Sequence, residues 1–424
     1  MNLVEYAVNA PAALPPDAYT GWIKDYCDWV RPSTDAGIEG MFATASVNVG
    51  LAIGRTINVY IGFPHYANLY VVLLGLPGVA RKTTLLTRAE SIRTDAFAKD
   101  AVVTVTGIGS GEGLLEAFCE VVIEGEGRRQ KEVLRPRPGQ IVLLDENELT
   151  SVFHKGQQQA TATLYDIIIK LYDSKDLTPR TRQRSIRVIR PFFSIISATT
   201  PQSLMDAVKP RDLGTGFLPR FATFHCTRRT PMASPPEPNW GVCSQLAAKL
   251  RDISAFAAEY GDRSIPTSEA AVRVFGSYYA DLCEAAINSD RVSHIIERIH
   301  TQIRKWSLIY AVQECATVIT TEHMERAIIV GQYLEACAKF AYSALGVNPI
   351  TQVVQKVIEK MATYPDGTFH NGRTIHRWVS GDITADVLRR ELDANVTLGT
   401  LLGETAMIRG RPVPRYALPW GQEP

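Results

Sequence analysis

Gly75, Leu76, Pro77, Gly78, Val79, Ala80, Arg81, Lys82, Thr83 and Thr84 follow directly on an apolar run and open a helical stretch at 83–94. A strand feeding a glycine-containing loop, then Lys and Thr where a helix begins, is an arrangement for cradling nucleotide phosphates. Backbone N–H groups and the helix N-terminus hold the anion, the lysine reaches the β- and γ-phosphates, and a hydroxyl from Thr83 or Thr84 ligates Mg2+. The loop departs from the usual G-x-x-x-x-G-K-[ST] rule. Six residues, not five, separate Gly75 from Lys82, and Arg81 stands where glycine is usual. The bland alternative is an ordinary Gly-Pro turn.

Further along, the apolar run 141–144 ends in Asp145-Glu146. ATP hydrolysis needs one carboxylate to hold the Mg2+ shell and one to polarise the attacking water. Asp145 suits the first role and Glu146 the second, with Glu148 as an alternative base. The run 192–197 leads to Thr200-Pro201. A polar side chain there either senses the γ-phosphate or caps a turn, since a residue before proline favours extended backbone. After Gly214 and Gly216 comes Pro219-Arg220. An arginine on such a loop can act in trans on transition-state charge; a plain surface arginine is the alternative.

These residues need elements to position them. The runs 69–74, 102–106, 141–144 and 192–197 are apolar without alternation, as strands of a parallel sheet covered on both faces require. The Pro-rich stretch 230–241 suits an exposed linker, and beyond it helical periods run over 268–289, 292–315 and 321–344. A third region opens with an amphipathic helix at 350–361 and ends in two short strands around a Gly-Arg-Pro turn. Three helices plus a terminal hairpin describe a winged helix. The expected organisation is α/β: an N-terminal helical segment (1–60), an α/β core (61–229), the linker (230–241), a helical region (242–347) and a winged helix (348–424).

Between the carboxylates and Thr200 lie Arg180, Arg182 and Arg184, alternating with Thr and Gln at strand periodicity, followed by Arg187 and Arg190. A basic hairpin suits salt-dependent, sequence-tolerant contact with nucleic-acid phosphates. Pairing with acidic groups of a neighbouring subunit is the alternative. Lys155, in His154-Lys155-Gly156-Gln157, marks a second candidate loop. In the C-terminal region Arg409 and Arg411 would sit on the wing, where phosphate or minor-groove contact is usual, although many winged helices bind proteins instead. The eight histidines do not cluster at metal spacing, and Ser110 has no His/Asp partner for nucleophilic work.

Composition bounds the rest. The 424 residues carry 45 Lys plus Arg against 44 Asp plus Glu, a net charge of +1, which excludes a wholesale polycation. Seven cysteines without a C-x-x-C pair read as reduced thiols. The start of the chain lacks the pattern of a secretory signal. No apolar run approaches the ~20 residues needed to span a bilayer. A cytoplasmic protein without a membrane partner is expected.

In order, these motifs resemble an AAA+ P-loop ATPase of the MCM-like helicase kind, closest to the ATPase modules of phage, plasmid and mobile-element replication proteins. Residues 68–75 leading into Arg81-Lys82-Thr83-Thr84, the Ser110-Gly111-Glu112-Gly113-Leu114 signature, Asp145-Glu146 as Walker B, Thr200 as sensor 1 and Arg220 as arginine finger carry the likeness. The resemblance covers roughly residues 40–345. It implies ATP and Mg2+ as cofactors, residues 242–347 as the AAA+ lid with Arg298 (rather than Arg291 or Arg304) as sensor 2, and assembly with further copies as a ring, a hexamer. It also implies single-stranded DNA gripped in the pore by the 180–190 hairpin. The departures are Thr200, where MCM proteins usually carry Asn, and the absence of primase motifs ahead of the core, so priming would come from a separate primase or polymerase. The resemblance implies an ATP-driven DNA helicase or translocase in mobile-element replication. The rival is a nucleotide-switched loader or scaffold, including a phage-defence effector, that binds DNA without unwinding it.

Overall fold

A computed structural model describes residues 10–125, 131–156, 163–178, 186–208, 216–287, 293–342, 349–365, 367–379, 385–397, 399–408 and 411–419. Contacts divide the chain into two compact units, Met1–Leu345 and Gly346–Pro424.

The first unit runs α1 (Gly21–Val30), α2 (Ile38–Ile53), β1 (Ile57–Ile61), β2 (Phe63–Tyr66), β3 (Tyr70–Leu74), α3 (Lys82–Ala96), β4 (Val102–Val105), α4 (Gly111–Glu116), β5 (Cys119–Glu124), β6 (Lys131–Pro136) and β7 (Ile141–Glu146). It continues with α5 (Thr150–Gly156), α6 (Leu164–Tyr172), β8 (Phe192–Thr199), α7 (Pro201–Ala207), β9 (Phe221–His225), α8 (Trp240–Tyr260), β10 (Arg263–Ser264), α9 (Glu269–Ile287), α10 (Ser293–Gln313) and α11 (Thr321–Tyr342).

Its centre is a five-stranded sheet in the order β4-β7-β8-β3-β9, with every neighbouring pair parallel. The unalternating apolar runs follow from this: every residue of β3, β8 and β9 is buried, because helices cover both faces. Successive side chains point to opposite faces. Tyr70 therefore meets α6, its hydroxyl donating to the Ile168 carbonyl (2.7 Å). Phe224, on the other face, packs against Phe42 of α2 with ring centroids 5.9 Å apart. A helix apolar all round belongs inside a protein, and α2 shows it: every residue from Glu39 to Ile53 is buried.

The N-terminal segment and the helices after residue 240 thus form one unit with the sheet. Trp306 of α10 is fully buried and its indole N–H reaches Ser46 Oγ of α2 (3.2 Å). The Pro-rich stretch is tied down at both ends. The Arg229 Nε–H donates to the Ala36 carbonyl (2.9 Å), and the Trp29 indole N–H to that of Asn239 (2.8 Å). Among the described residues no helix is long and apolar enough to cross a membrane.

The second unit contains α12 (Pro349–Met361), β11 (His370–Asn371), α13 (Gly372–Trp378), α14 (Ala385–Thr397), β12 (Leu402–Ile408) and β13 (Arg411–Ala417). Its antiparallel sheet has the order β11-β13-β12. Val357, Met361, Ile375, Leu388, Leu392 and Tyr416 form its own core. The three helices and terminal hairpin match the sequence reading; the short strand β11 is an addition.

Candidate nucleotide site

In a parallel sheet, ligands gather where the strands end at their carboxyl edge, and here β3 passes into Gly75–Lys82. Only glycine fits at 75, since a Cβ there would lie 2.5 Å from Ala80 Cβ and 2.8 Å from the Cys226 carbonyl. Pro77, Gly78 and Val79 form an exposed apex over buried Ala80, with Gly78 at φ 67°. Arg81 caps α3 in the left-handed region (φ 49°, ψ 32°), the backbone that favours glycine and costs an L-residue about 1–2 kcal/mol. Its side chain is anchored in return. Arg81 Nε donates to Asp35 Oδ1 (2.8 Å), and Asp35, 1% exposed, also accepts from Arg228 Nε (2.7 Å) and the Met232 N–H (3.3 Å). The Arg81 guanidinium, helped by Arg228, holds the Asp35 carboxyl well below the usual carboxylate range.

The Lys82 ammonium lies across the strand ends, donating to the carbonyls of Gly75 (2.5 Å) and Thr199 (2.9 Å). Burial lowers its pKa, partly offset by the nearby Cys226 and Glu148. Thr83 is exposed and Thr84 half-buried at the start of α3. The Thr199 hydroxyl donates to Glu148 Oε1 (2.7 Å), as does Thr150 Oγ1 (3.2 Å). Thr199 therefore joins Lys82, through its carbonyl, to Glu148, through its hydroxyl.

The carboxylate pair is arranged differently from the sequence expectation. Being adjacent in a strand, Asp145 and Glu146 point to opposite faces. Asp145 is bound to Arg93 of α3 (Oδ2 to Nη2, 2.6 Å), and Arg93, 5% exposed, also donates to Asn48 Oδ1 (3.3 Å). Burial pushes the Asp145 carboxyl up against the opposing pull of Arg93. A magnesium role for Asp145 would require this ion pair to open. Glu146 faces Gly107: a Cβ there would lie 3.8 Å from Glu146 Oε2, and that oxygen is buried without a hydrogen-bond partner among the described residues. Glu148, the alternative base, is the carboxylate beside the lysine.

Thr200 caps α7, its Oγ1 accepting from the Ser203 N–H (3.0 Å). The hydroxyl facing the carboxylates belongs to Thr199. Ser110 likewise caps α4, accepting from the Gly113 N–H (3.1 Å).

Arg220 is neither a surface arginine nor near the loop of its own chain. It is 6% exposed, with Nη1 donating to the Gly216 carbonyl (2.5 Å) and Nη2 lying 3.3 Å from Asp173 Oδ2. It immediately precedes β9, whose first residue pairs with Tyr70 and whose last pairs with Leu74. Arg220 therefore sits at the amino edge of the sheet, about 20 Å along the strands from the start of the loop at Gly75. Arg298 of α10 is exposed and close enough to Tyr172 for its charge to act on that hydroxyl.

Of the expected nucleic-acid contacts, Arg180, Arg182, Arg184 and Arg409 lie outside the described residues, as does the side chain of Arg411 at the start of β13. Arg187 is exposed, and Lys155 is half-buried in the last turn of α5. The flanks of the arginine-rich segment do converge: Leu177 and Val188 exchange backbone hydrogen bonds of 3.0 and 2.8 Å, as the stem of a hairpin would.

Neither Asp35 nor Arg93 figured among the sequence candidates. A lone acid in Ser33-Thr34-Asp35-Ala36 and one of many arginines give no local signal. Thr199 was within reach, as the last residue of an otherwise apolar run. No protein-family model matches this sequence, and no curated protein matches it.

Proposed function

We propose that this chain is an ATP hydrolase of the AAA+ kind that works on DNA as a ring-forming helicase or translocase in mobile-element replication. The observation that carries the reading is Lys82 drawn across the carboxyl ends of β3 and β8, with Glu148 on Thr199 beside it. Lysine at that point is the group that meets β- and γ-phosphates, and Glu148 has the position of a general base for the attacking water. The strand order supports the same reading, with β8 between the phosphate-loop strand and the carboxylate strand.

The donor set fits a hydrated Mg2+, a hard cation that takes oxygen ligands. Thr83 or Thr84 would offer it a hydroxyl, and Glu146 Oε2, without a partner among the described residues, a carboxylate oxygen. When bound, the metal neutralises developing phosphate charge. Glu148 accepts the proton of water, Lys82 orients the phosphates, and the N–H groups of residues 78–84 enclose them.

Arg220 lies at the wrong edge to serve its own site, so it fits one completed by a neighbouring copy in a ring such as a hexamer. Leaving Asp173 is then part of its work. The helix–strand–helix–helix–hairpin order of the second unit is compatible with a winged helix, which would add a duplex contact. The second reading, a nucleotide-switched loader, is favoured by the Asp145–Arg93 pair, which withholds a carboxylate from the metal and would slow turnover.

ATP hydrolysis with and without single-stranded DNA tests the choice. Turnover stimulated by the strand and abolished by Lys82→Ala supports the motor. ATP binding with no turnover under any condition supports the loader.

A further inference from the structure

At the amino edge of the central sheet, β1 and β2 form a hairpin turned at Gly62 (φ 73°), where an added Cβ would meet nothing within 4 Å. The tip therefore stands in open space. It carries Tyr60, 64% exposed, and Phe63, 40% exposed. The pairing Tyr60↔Pro64 and Ile61↔Phe63 puts the two rings on opposite faces of the ribbon.

Below the tip the stem is rigid. Val59 and Tyr66 are buried, β10 pairs alongside β1, the Arg55 guanidinium lies 3.5 Å over the Tyr66 ring, and the Tyr66 hydroxyl donates to Asp262 (3.0 Å). The stem of the arginine-rich segment reaches the same hairpin from both sides. Lys175 lies 5.7 Å from the Phe63 ring on one side, and Arg190 binds Asp262 (2.7 Å) on the other. Arg187 is exposed between them in sequence. Their side chains stay largely in solvent even though Asp173 and Asp262 approach Lys175 and Arg190.

Exposed rings held on a rigid stem, flanked by cations, are the components of a stacking platform for unpaired bases with phosphates held beside it. Duplex DNA does not offer its base faces, and an apolar partner surface would have no use for the cations. We propose that the β1–β2 tip is a binding element for single-stranded DNA, with bases stacking on Phe63 and Tyr60 and phosphates meeting Lys175, Arg187 and Arg190. The strand would be parted around the tip, one base on each face. This rests on the DNA reading above and adds the surface that grips the bases.

Fluorescence anisotropy of a labelled oligo-dT strand with the full chain tests it, alongside uptake of a fluorescent ATP analogue by the same preparations. Tyr60→Ala and Phe63→Ala are each expected to weaken strand binding about tenfold, with melting and nucleotide uptake unchanged. Phe63→Leu, which keeps bulk but loses the π face, should behave as Phe63→Ala, and Phe63→Tyr should bind as wild type. Lys175→Ala should reduce the slope of log affinity against log salt by about 0.7, one phosphate contact, while the ring variants leave that slope intact. Ring variants that bind as tightly as wild type, or duplex that competes as well as the single strand, would overturn the proposal and leave the nucleotide site standing. A wild-type chain that takes up nucleotide but binds no strand would overturn the proposal and the DNA reading together.

Discussion

Asp35 should decide whether Arg81 can remain in the phosphate loop. Arg81 occupies left-handed backbone at φ 49°, and its guanidinium is fixed by a carboxylate that is 1% exposed and shared with Arg228. Replacing Asp35 by Asn keeps the size but removes the charge that both arginines use. Charge-assisted hydrogen bonds are worth about 1.5–3 kcal/mol each. Because the Arg81 and Arg228 side chains are 37% and 30% exposed and can be rehydrated, only part of this is lost. Without its anchor, Arg81 escapes a backbone strain of about 1–2 kcal/mol, and returning it to the loop's nucleotide-binding shape should weaken ATP about 5- to 30-fold.

Glycine adopts the left-handed region at no steric cost. Arg81→Gly should therefore bind ATP nearly as well as wild type, and Asp35→Asn combined with Arg81→Gly should recover most of the affinity lost in Asp35→Asn alone. Titration of a fluorescent ATP analogue into the four proteins measures the cycle, with melting curves to show that each is folded. A double variant as weak as Asp35→Asn would refute the reasoning, since the anchor would then act through something other than Arg81.

Three further outcomes follow from the same geometry. Glu148→Gln should lower ATP turnover about 10²- to 10⁴-fold, as loss of a general base does, without weakening ATP binding; single-turnover assays against Glu146→Gln identify which carboxylate handles the water. Arg93→Ala should destabilise the chain by up to about 3–5 kcal/mol, because it strands the half-buried Asp145 carboxylate, and a paired Arg93→Met, Asp145→Leu variant should regain most of that in urea titrations. Burial lowers the pKa of His65 and of His225 to about 4. The unfolded chain, with histidines near 6.5, then binds more protons than the native state between those values. Stability should fall as pH drops from about 6.5 toward 4, and thermal midpoints across that window should slope less in His65→Gln than in wild type.

Much of the frame was legible because burial writes itself into a strand. Apolar runs at β3, β7 and β8 have no alternation to hide, and the loop after β3 stands out by its Gly, Lys and Thr residues. The burial of α2 was also written there, in a helix apolar on every side, but its place against the sheet depends on contacts with Phe224 and Trp306 far along the chain. Adjacent carboxylates at 145 and 146 invite a joint role by proximity in sequence, whereas the pleat separates them and Arg93 claims one. Thr199 and Thr200 were equivalent on paper, and the strand end sends one to Glu148 and the other to cap α7. The burial of Arg220 is set by Asp173, 47 residues away, and no local pattern announces such a pair.

The central claim is that residues 75–84 seat nucleotide phosphates around Lys82. Calorimetric titration of MgATP into wild type and Lys82→Ala tests it most directly. Saturable one-site binding by wild type, lost in a folded Lys82→Ala protein, is the predicted result; no heat of binding in wild type, or equal affinity in both, would contradict it.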